Sequence, residues 1–216
     1  MNFARITLAL FFLAIATVSA AEELVLPFEG HWFVMQGGDT PNVNHHMTVR
    51  AQAYGVDFVK VGGQAGRQLA SGDMNTVGDF FSWGQTVLSP ADGIVVSSVT
   101  DLPDNSLGTK DTTNPAGNHV VIKIAEDQFV FLAHFQKDSI RVKKGDLVQQ
   151  GQELGLCGNS GNSDYPHIHL HVQNTPELNS GTGTNPMFGP INVELTGKRF
   201  ELVSWPLIRG LFVWNE

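Results

Sequence analysis

The chain is short of several things, and each shortage narrows the reading. Its 216 residues include one cysteine, Cys157, so no internal disulfide can form. The setting of that cysteine, Leu154-Gly155-Leu156-Cys157-Gly158, is apolar, which reads it as a small buried hydrophobe; a thiolate ligand for a metal is the other option. Basic residues are scarce, 13 Lys and Arg against 21 Asp and Glu. Phosphate contacts draw on basic surface, so nucleic-acid binding and strong adhesion to an anionic envelope are both disfavoured. Long hydrophobic runs are missing too. The longest, residues 6–18, falls short of the roughly 18 residues that a spanning helix needs. Helical periodicity is nearly absent beyond it.

What is present begins with that apolar run. Arg5 precedes it and small residues, Val18-Ser19-Ala20, follow it, the pattern of a secretory signal peptide over residues 1–20 cut before Ala21. The expected product is exported, to the periplasm or the extracellular space, without stable membrane insertion. Its 196 residues fit one domain, and loss of Arg5 leaves 12 basic residues against 21 acidic ones, a balance of −9. Short β-branched runs punctuated by Gly, Pro, Asn and Asp predict an all-β domain. Strands are expected around residues 32–35 and over 53–61, 119–124 and 129–135, the last two forming a hairpin. A hairpin or tight turn is expected at Pro90-Ala91-Asp92-Gly93. Long polar loops are expected over 101–117 and 174–190.

The stretch Tyr165-Pro166-His167-Ile168-His169-Leu170-His171-Val172 stands out. Strand alternation puts His167, His169 and His171 on one face and Ile168, Leu170 and Val172 on the other. Same-face residues lie about 6 to 7 Å apart, so neighbouring imidazoles can converge on one metal or flank one substrate. A catalytic zinc site takes three protein ligands and leaves a position open. The candidates are His45, His46, Asp57, His119, His134, His167, His169 and His171. Asp57 is unusual among the acids because it sits inside an apolar run, Tyr54-Gly55-Val56-Asp57-Phe58-Val59, where a carboxylate needs a partner. Arg50 or solvent would be the ordinary one.

Taken in order, Asn44-His45-His46, Tyr54-Gly55-Val56-Asp57-Phe58, Pro90-Ala91-Asp92-Gly93, Leu132-Ala133-His134, the glycines and Asp146 of residues 142–151, Gly158-Asn159-Ser160-Gly161 and Pro166-His167-Ile168-His169 resemble the lysostaphin-type (LytM-like) zinc metallopeptidases. The resemblance runs over residues 32–172. It implies antiparallel β-sheets forming an open groove, a duplicated, barrel-sandwich-like hybrid motif, with a single unit over residues 21–216: an extension (21–44), a catalytic core (45–172) and C-terminal loop and strands (173–216). It implies one Zn2+ per chain on His46, Asp57 and His169, with His45 the alternative to His46, and His134 and His167 as catalytic residues. Ten residues separate His46 from Asp57 where the shorter family form has three, and Leu170-His171 stand where the family has an aromatic residue and often an acid. His171 has no role by resemblance; His31 and His119 read as structural histidines, and the tryptophans as core. The expected function is hydrolysis of peptide bonds in bacterial peptidoglycan, cross-links or stem peptides, through a zinc-activated water. The alternative is a catalytically quiet, metal-containing module that binds cell wall or regulates a hydrolase. A biotinyl- or lipoyl-carrier barrel shares some turns but needs a lysine displayed on a hairpin tip; no Met-Lys-type tip stands out, and the secretion signal also argues against a carrier. No partner protein is implied.

Overall fold

The computed structural model describes residues 23–215; the signal-peptide expectation falls outside them. Thirteen strands are found: β1 Trp32–Gln36, β2 Val56–Lys60, β3 Thr86–Leu88, β4 Gly93–Val99, β5 Asn118–Ala125, β6 Gln128–Phe135, β7 Leu147–Val148, β8 Glu153–Leu156, β9 Ile168–Gln173, β10 Gly183–Thr184, β11 Ile191–Leu195, β12 Lys198–Leu202 and β13 Phe212–Trp214. Among the described residues the other regular elements are short 3-10 turns at His45–Thr48, Arg50–Gln52 and Val77–Asp79. The fold is all-β, as the sequence predicts, and among the described residues no helix is long and apolar enough to cross a membrane.

Eleven strands make one antiparallel sheet in the order β12-β11-β13-β1-β2-β9-β6-β5-β4-β7, with β10 on β9. A small second sheet joins β3 to β8. The turn at Pro90 does not close a hairpin. β3 pairs with β8 while β4 pairs with β5 and β7, because Ser89 N–H and C=O are taken by Gln152 and Gly151, so the turn carries the chain from one sheet to the other. The loop over 174–190 is also more ordered than a structureless connection, since Gly183 and Thr184 pair with Gln173 and Val172.

Alternation decides which face of the large sheet is core. Val56 and Phe58 of β2, Ile168, Leu170 and Val172 of β9, Val130 and Leu132 of β6, and Val120 and Ile122 of β5 all enter one apolar cluster with Trp32, Phe28 and Phe188. Each such buried side chain contributes about 1.5–3 kcal/mol by leaving water, which pins the register, since a slip of one residue would turn every one of them outward. Cys157 belongs to the same cluster, and burial pushes its thiol far up. Trp32 is core, whereas Trp205 is exposed.

The opposite face carries the alternate residues in rungs. Asp57 pairs with His169, His169 with Ala133, and Ala133 with His119. In the next rung His171 pairs with Phe131 and Phe131 with Val121. Gln173, Phe129 and Lys123 form the third.

Candidate metal centre

The first rung is the floor of a cleft of about 520 Å³. Its lining includes His45, His46, Asp57, His119, His134, His167, His169 and His171, with Lys110, Asn162, Asp164 and Tyr165 on the walls. All eight histidine and aspartate candidates therefore meet in one place, although His167 precedes β9 rather than lying within it. Cys157 does not line this cleft.

His46 arrives from a short 3-10 turn that Asn44 caps. The Asn44 side chain accepts a hydrogen bond from His46 N and donates to Gly38 O and Gly55 O, a locking use of an N-cap residue. Gly55 makes room beneath: a Cβ there would lie 2.9 Å from His169 Cε1 and 3.1 Å from His46 Cδ2. The two imidazoles can therefore close over the chain only at a glycine.

Asp57 stands between them. Its Oδ2 is 3.0 Å from His46 Nε2, its Oδ1 is 2.9 Å from His169 Nδ1, and His167 Nε2 is 3.7 Å from Oδ1. Asp57, His46 and His169 are 6%, 8% and 4% exposed. Burial pushes Asp57 upward, but the imidazoles of His46 and His167, together with the close approach of His169, outweigh it and hold the carboxyl well below its usual range. Burial lowers His169 to about 4. His46 Nε2 is buried and, despite its nearness to the carboxylate, makes no well-directed hydrogen bond. An orphaned buried nitrogen and a carboxylate oxygen 3.0 Å apart fit two donors of a cation better than they fit each other. His45, exposed, also offers an atom within 4.8 Å of His46 and Asp57.

His134 and His167 face the floor with their ring centroids 4.7 Å apart. His134 owes its position to a β-bulge. Asn118 pairs with Phe135 and His119 with Ala133, so His134 is an extra residue, with φ +67°. The bulge puts two successive residues, Ala133 and His134, into the cleft lining. The His134 Nδ1 lies 2.8 Å from Ser160 O, and His167 Nδ1 lies 2.9 Å from Tyr165 O. Carbonyls only accept, so each Nδ1 carries the hydrogen and each Nε2 is left with a lone pair. Burial, then the neighbouring His167 and His169, depress His134 well below its ordinary range.

Residues 75–186, 112 of the 216 positions, match the model of Peptidase family M23. The chain belongs to peptidase family M23. This is the lysostaphin-type family of the sequence resemblance. The M23 match includes His134, His167 and His169 but begins after His46 and Asp57. Among M23-related proteins, Endolysin 2638A of Staphylococcus phage 2638A is 38% identical over 85 residues, 38% of this chain and 18% of that protein. Peptidoglycan DD-endopeptidase ShyA of Vibrio cholerae is 42% identical over 57 residues, 26% of this chain and 13% of that protein. The chain thus spans less than a fifth of these relatives. A zinc-containing peptidase from Vibrio cholerae superposes over 76% of this chain and 39% of that one, with a TM-score of 0.44 and 22% identity.

Sequence reasoning left two cleft residues aside. His119 has its Nδ1 2.8 Å from Gly117 O, as a structural histidine does, yet it lines the cleft because it shares a rung with Ala133. His171 is 2% exposed, lies flat on Phe131 at 4.5 Å and contacts His169. Its place in the alternation was the available signal.

Proposed function

We propose that the chain is an exported zinc endopeptidase that cleaves peptide bonds of bacterial peptidoglycan, with His46, Asp57 and His169 holding the metal and residues 21–216 acting as one catalytic unit. The observation that carries this reading is the buried Asp57 carboxylate bracketed at 3.0 and 2.9 Å by two buried imidazole nitrogens in a chain of a peptidase family. Of the two adjacent histidines, His46 is favoured over His45 because it is the buried one and the one held by the Asn44 cap. Zinc bound there supplies a Lewis acid and a water whose pKa is near neutral.

The chain's own residues do the rest. Peptide hydrolysis needs one group to take a proton from the attacking water and another to steady the developing oxyanion or return a proton to the leaving amine. His134 and His167 are suited to these two tasks, since backbone carbonyls pin each ring through Nδ1 and leave Nε2 toward the cleft. A cleft of about 520 Å³ falls in the range for small-ligand and short-peptide sites. The cell-wall substrate is supported by the relatives called endolysin and peptidoglycan DD-endopeptidase, and export by the signal-like residues 1–20.

The test is mass spectrometry of defined cross-linked muropeptides incubated with the zinc-loaded chain, with the chain after chelation, and with His169→Ala. Cleavage by the loaded chain alone is expected. Binding of the fragments without cleavage under all three conditions would move the assignment to a quiet cell-wall-binding module.

A further inference from the structure

Behind His169 a line of buried side chains runs along the cleft face of β9. His169 Nε2 is 2.9 Å from His171 Nδ1, and His171 Nε2 is 3.2 Å from Gln173 Oε1. Gln173, fully buried, donates through Nε2 to Thr175 O at 2.8 Å and to Glu177 O at 2.7 Å. Same-face alternation accounts for the alignment, since residues 169, 171 and 173 are successive positions on one side of a strand.

The direction of every bond in this line follows from its far end. Thr175 O and Glu177 O are backbone carbonyls and only accept, so the Gln173 amide nitrogen must face them and both its hydrogens are used. Gln173 therefore presents its oxygen to His171. An amide oxygen cannot donate, so the hydrogen of the His171 ring sits on Nε2. With one hydrogen on a neutral ring, His171 Nδ1 has a lone pair, and it faces His169 Nε2. That nitrogen must then be the donor, which strips Nδ1 of His169. The bare Nδ1 points at Asp57 Oδ1 from 2.9 Å. Two lone pairs facing each other at that distance repel, and a cation bound to both removes the conflict. Zinc bonds of about 2.0–2.1 Å in a tetrahedron place two donors roughly 3.3 Å apart, a small adjustment from what is seen.

We propose that His171 and Gln173 are positioning residues that fix His169 in the tautomer whose Nδ1 can ligate metal. This rests on the metal site proposed above and adds to it the device that makes His169 a ligand rather than a hydrogen-bond donor to Asp57. The relay is built of neutral groups: an imidazole and an amide stand where a carboxylate often supports a metal-bound histidine. Its packing keeps water out, since His171 is stacked on Phe131 and both are buried.

Two measurements on the full chain test it. The first is zinc affinity by competition with a chromophoric chelator for the native chain, His171→Phe and His171→Asn. Phenylalanine keeps the ring on Phe131 but has no acceptor, and roughly 10- to 100-fold weaker zinc binding is expected. Asparagine restores an acceptor oxygen near the Nδ1 position, and most of the affinity should return. The second is the ring-nitrogen NMR spectrum of the zinc-loaded native chain, in which His171 and His169 should both carry hydrogen on Nε2. Equal zinc affinity in the native chain and His171→Phe, or hydrogen on His171 Nδ1, would overturn the relay while leaving the metal site standing. A native chain that binds no zinc would overturn both. Urea unfolding of the metal-free variants separates a folding defect from a ligand defect, because loss of the relay lowers affinity in a chain that still unfolds cooperatively.

Discussion

Replacing Ser160 by alanine removes a hydroxyl that joins the glycine-rich turn before β9 to the hairpin that carries His134. Ser160 Oγ accepts from Asn118 N at 2.9 Å and donates to Phe135 O at 2.7 Å, and both Ser160 and Asn118 are fully buried. The two losses are unequal. Phe135 O keeps a second donor, Asn118 Nδ2 at 3.1 Å, so losing the hydroxyl there costs about 1 kcal/mol, an ordinary net hydrogen bond. The Asn118 N–H loses the side-chain oxygen that accepts it, and a stranded buried donor costs about 1–3 kcal/mol. Water is a poor substitute because Gly117 presses on the same residue: a Cβ at 117 would come within 2.6 Å of Ser160 backbone and side-chain atoms. The total expected is about 2–4 kcal/mol, or roughly 4–16 °C in melting temperature for a chain of this length. Urea unfolding followed by tryptophan fluorescence reads it, with the m-value unchanged. Alanine keeps the backbone carbonyl that accepts from His134 Nδ1, so the variant should retain activity at temperatures well below its melt. A loss under about 0.5 kcal/mol would mean that the turn relaxes or admits water, and would refute the accounting of the buried bonds.

His134→Ala and His167→Ala, made separately, should each lower turnover of a muropeptide substrate by about 10²- to 10⁴-fold while zinc content, read by atomic emission, stays at one ion per chain; full activity in either would remove that residue from the mechanism. Acid should destabilise the metal-free chain in two windows. Burial holds His134, His169 and His171 below 6.5, so the unfolded chain takes up those protons first; their contribution is intact above pH 6.5 and is lost as pH falls below it, each by up to about 1.4 kcal/mol per pH unit. Asp57, held below 3.8, adds a second loss of the same sign only under that pH. A flat urea midpoint between pH 7 and 5 would contradict the burial of the three imidazoles. Cys157, buried and with its thiol pushed up, should resist iodoacetamide in the native chain and react only on unfolding, as mass shift will show.

Much of the site was legible because alternation is a strong constraint. The run from His167 to Val172 could satisfy a core only with Ile168, Leu170 and Val172 inward, which sends His169 and His171 to the cleft. Asp57 was legible for the same reason, as a carboxylate flanked by Val56 and Phe58 that both enter the core. What could not be read was relational. The role proposed for His171 depends on the amide direction of Gln173, which two backbone carbonyls set from a hairpin that forms only when β10 returns to β9. The Pro90 turn is locally identical whether it closes a hairpin or switches sheets, and Gly151 and Gln152, far along the chain, decide it. His46 came with a choice between neighbours, and spacing alone does not show that the buried Asn44 side chain, through contacts to Gly38 and Gly55, holds the turn that carries His46.

The extra residue at His134 sets foldability against use. Hairpin pairing is interrupted there because β6 carries one residue more than β5 between the Ala133 and Phe135 pairs. A chain one residue shorter at this point could close the ladder without a gap and would be free of a left-handed histidine. It would also turn that imidazole off the cleft, since an uninterrupted strand cannot show two neighbours to one side. Selection for heat resistance that admits deletions is therefore drawn toward a smoother hairpin that no longer shows this imidazole to the cleft. Scans that only exchange one side chain for another never meet this trade-off.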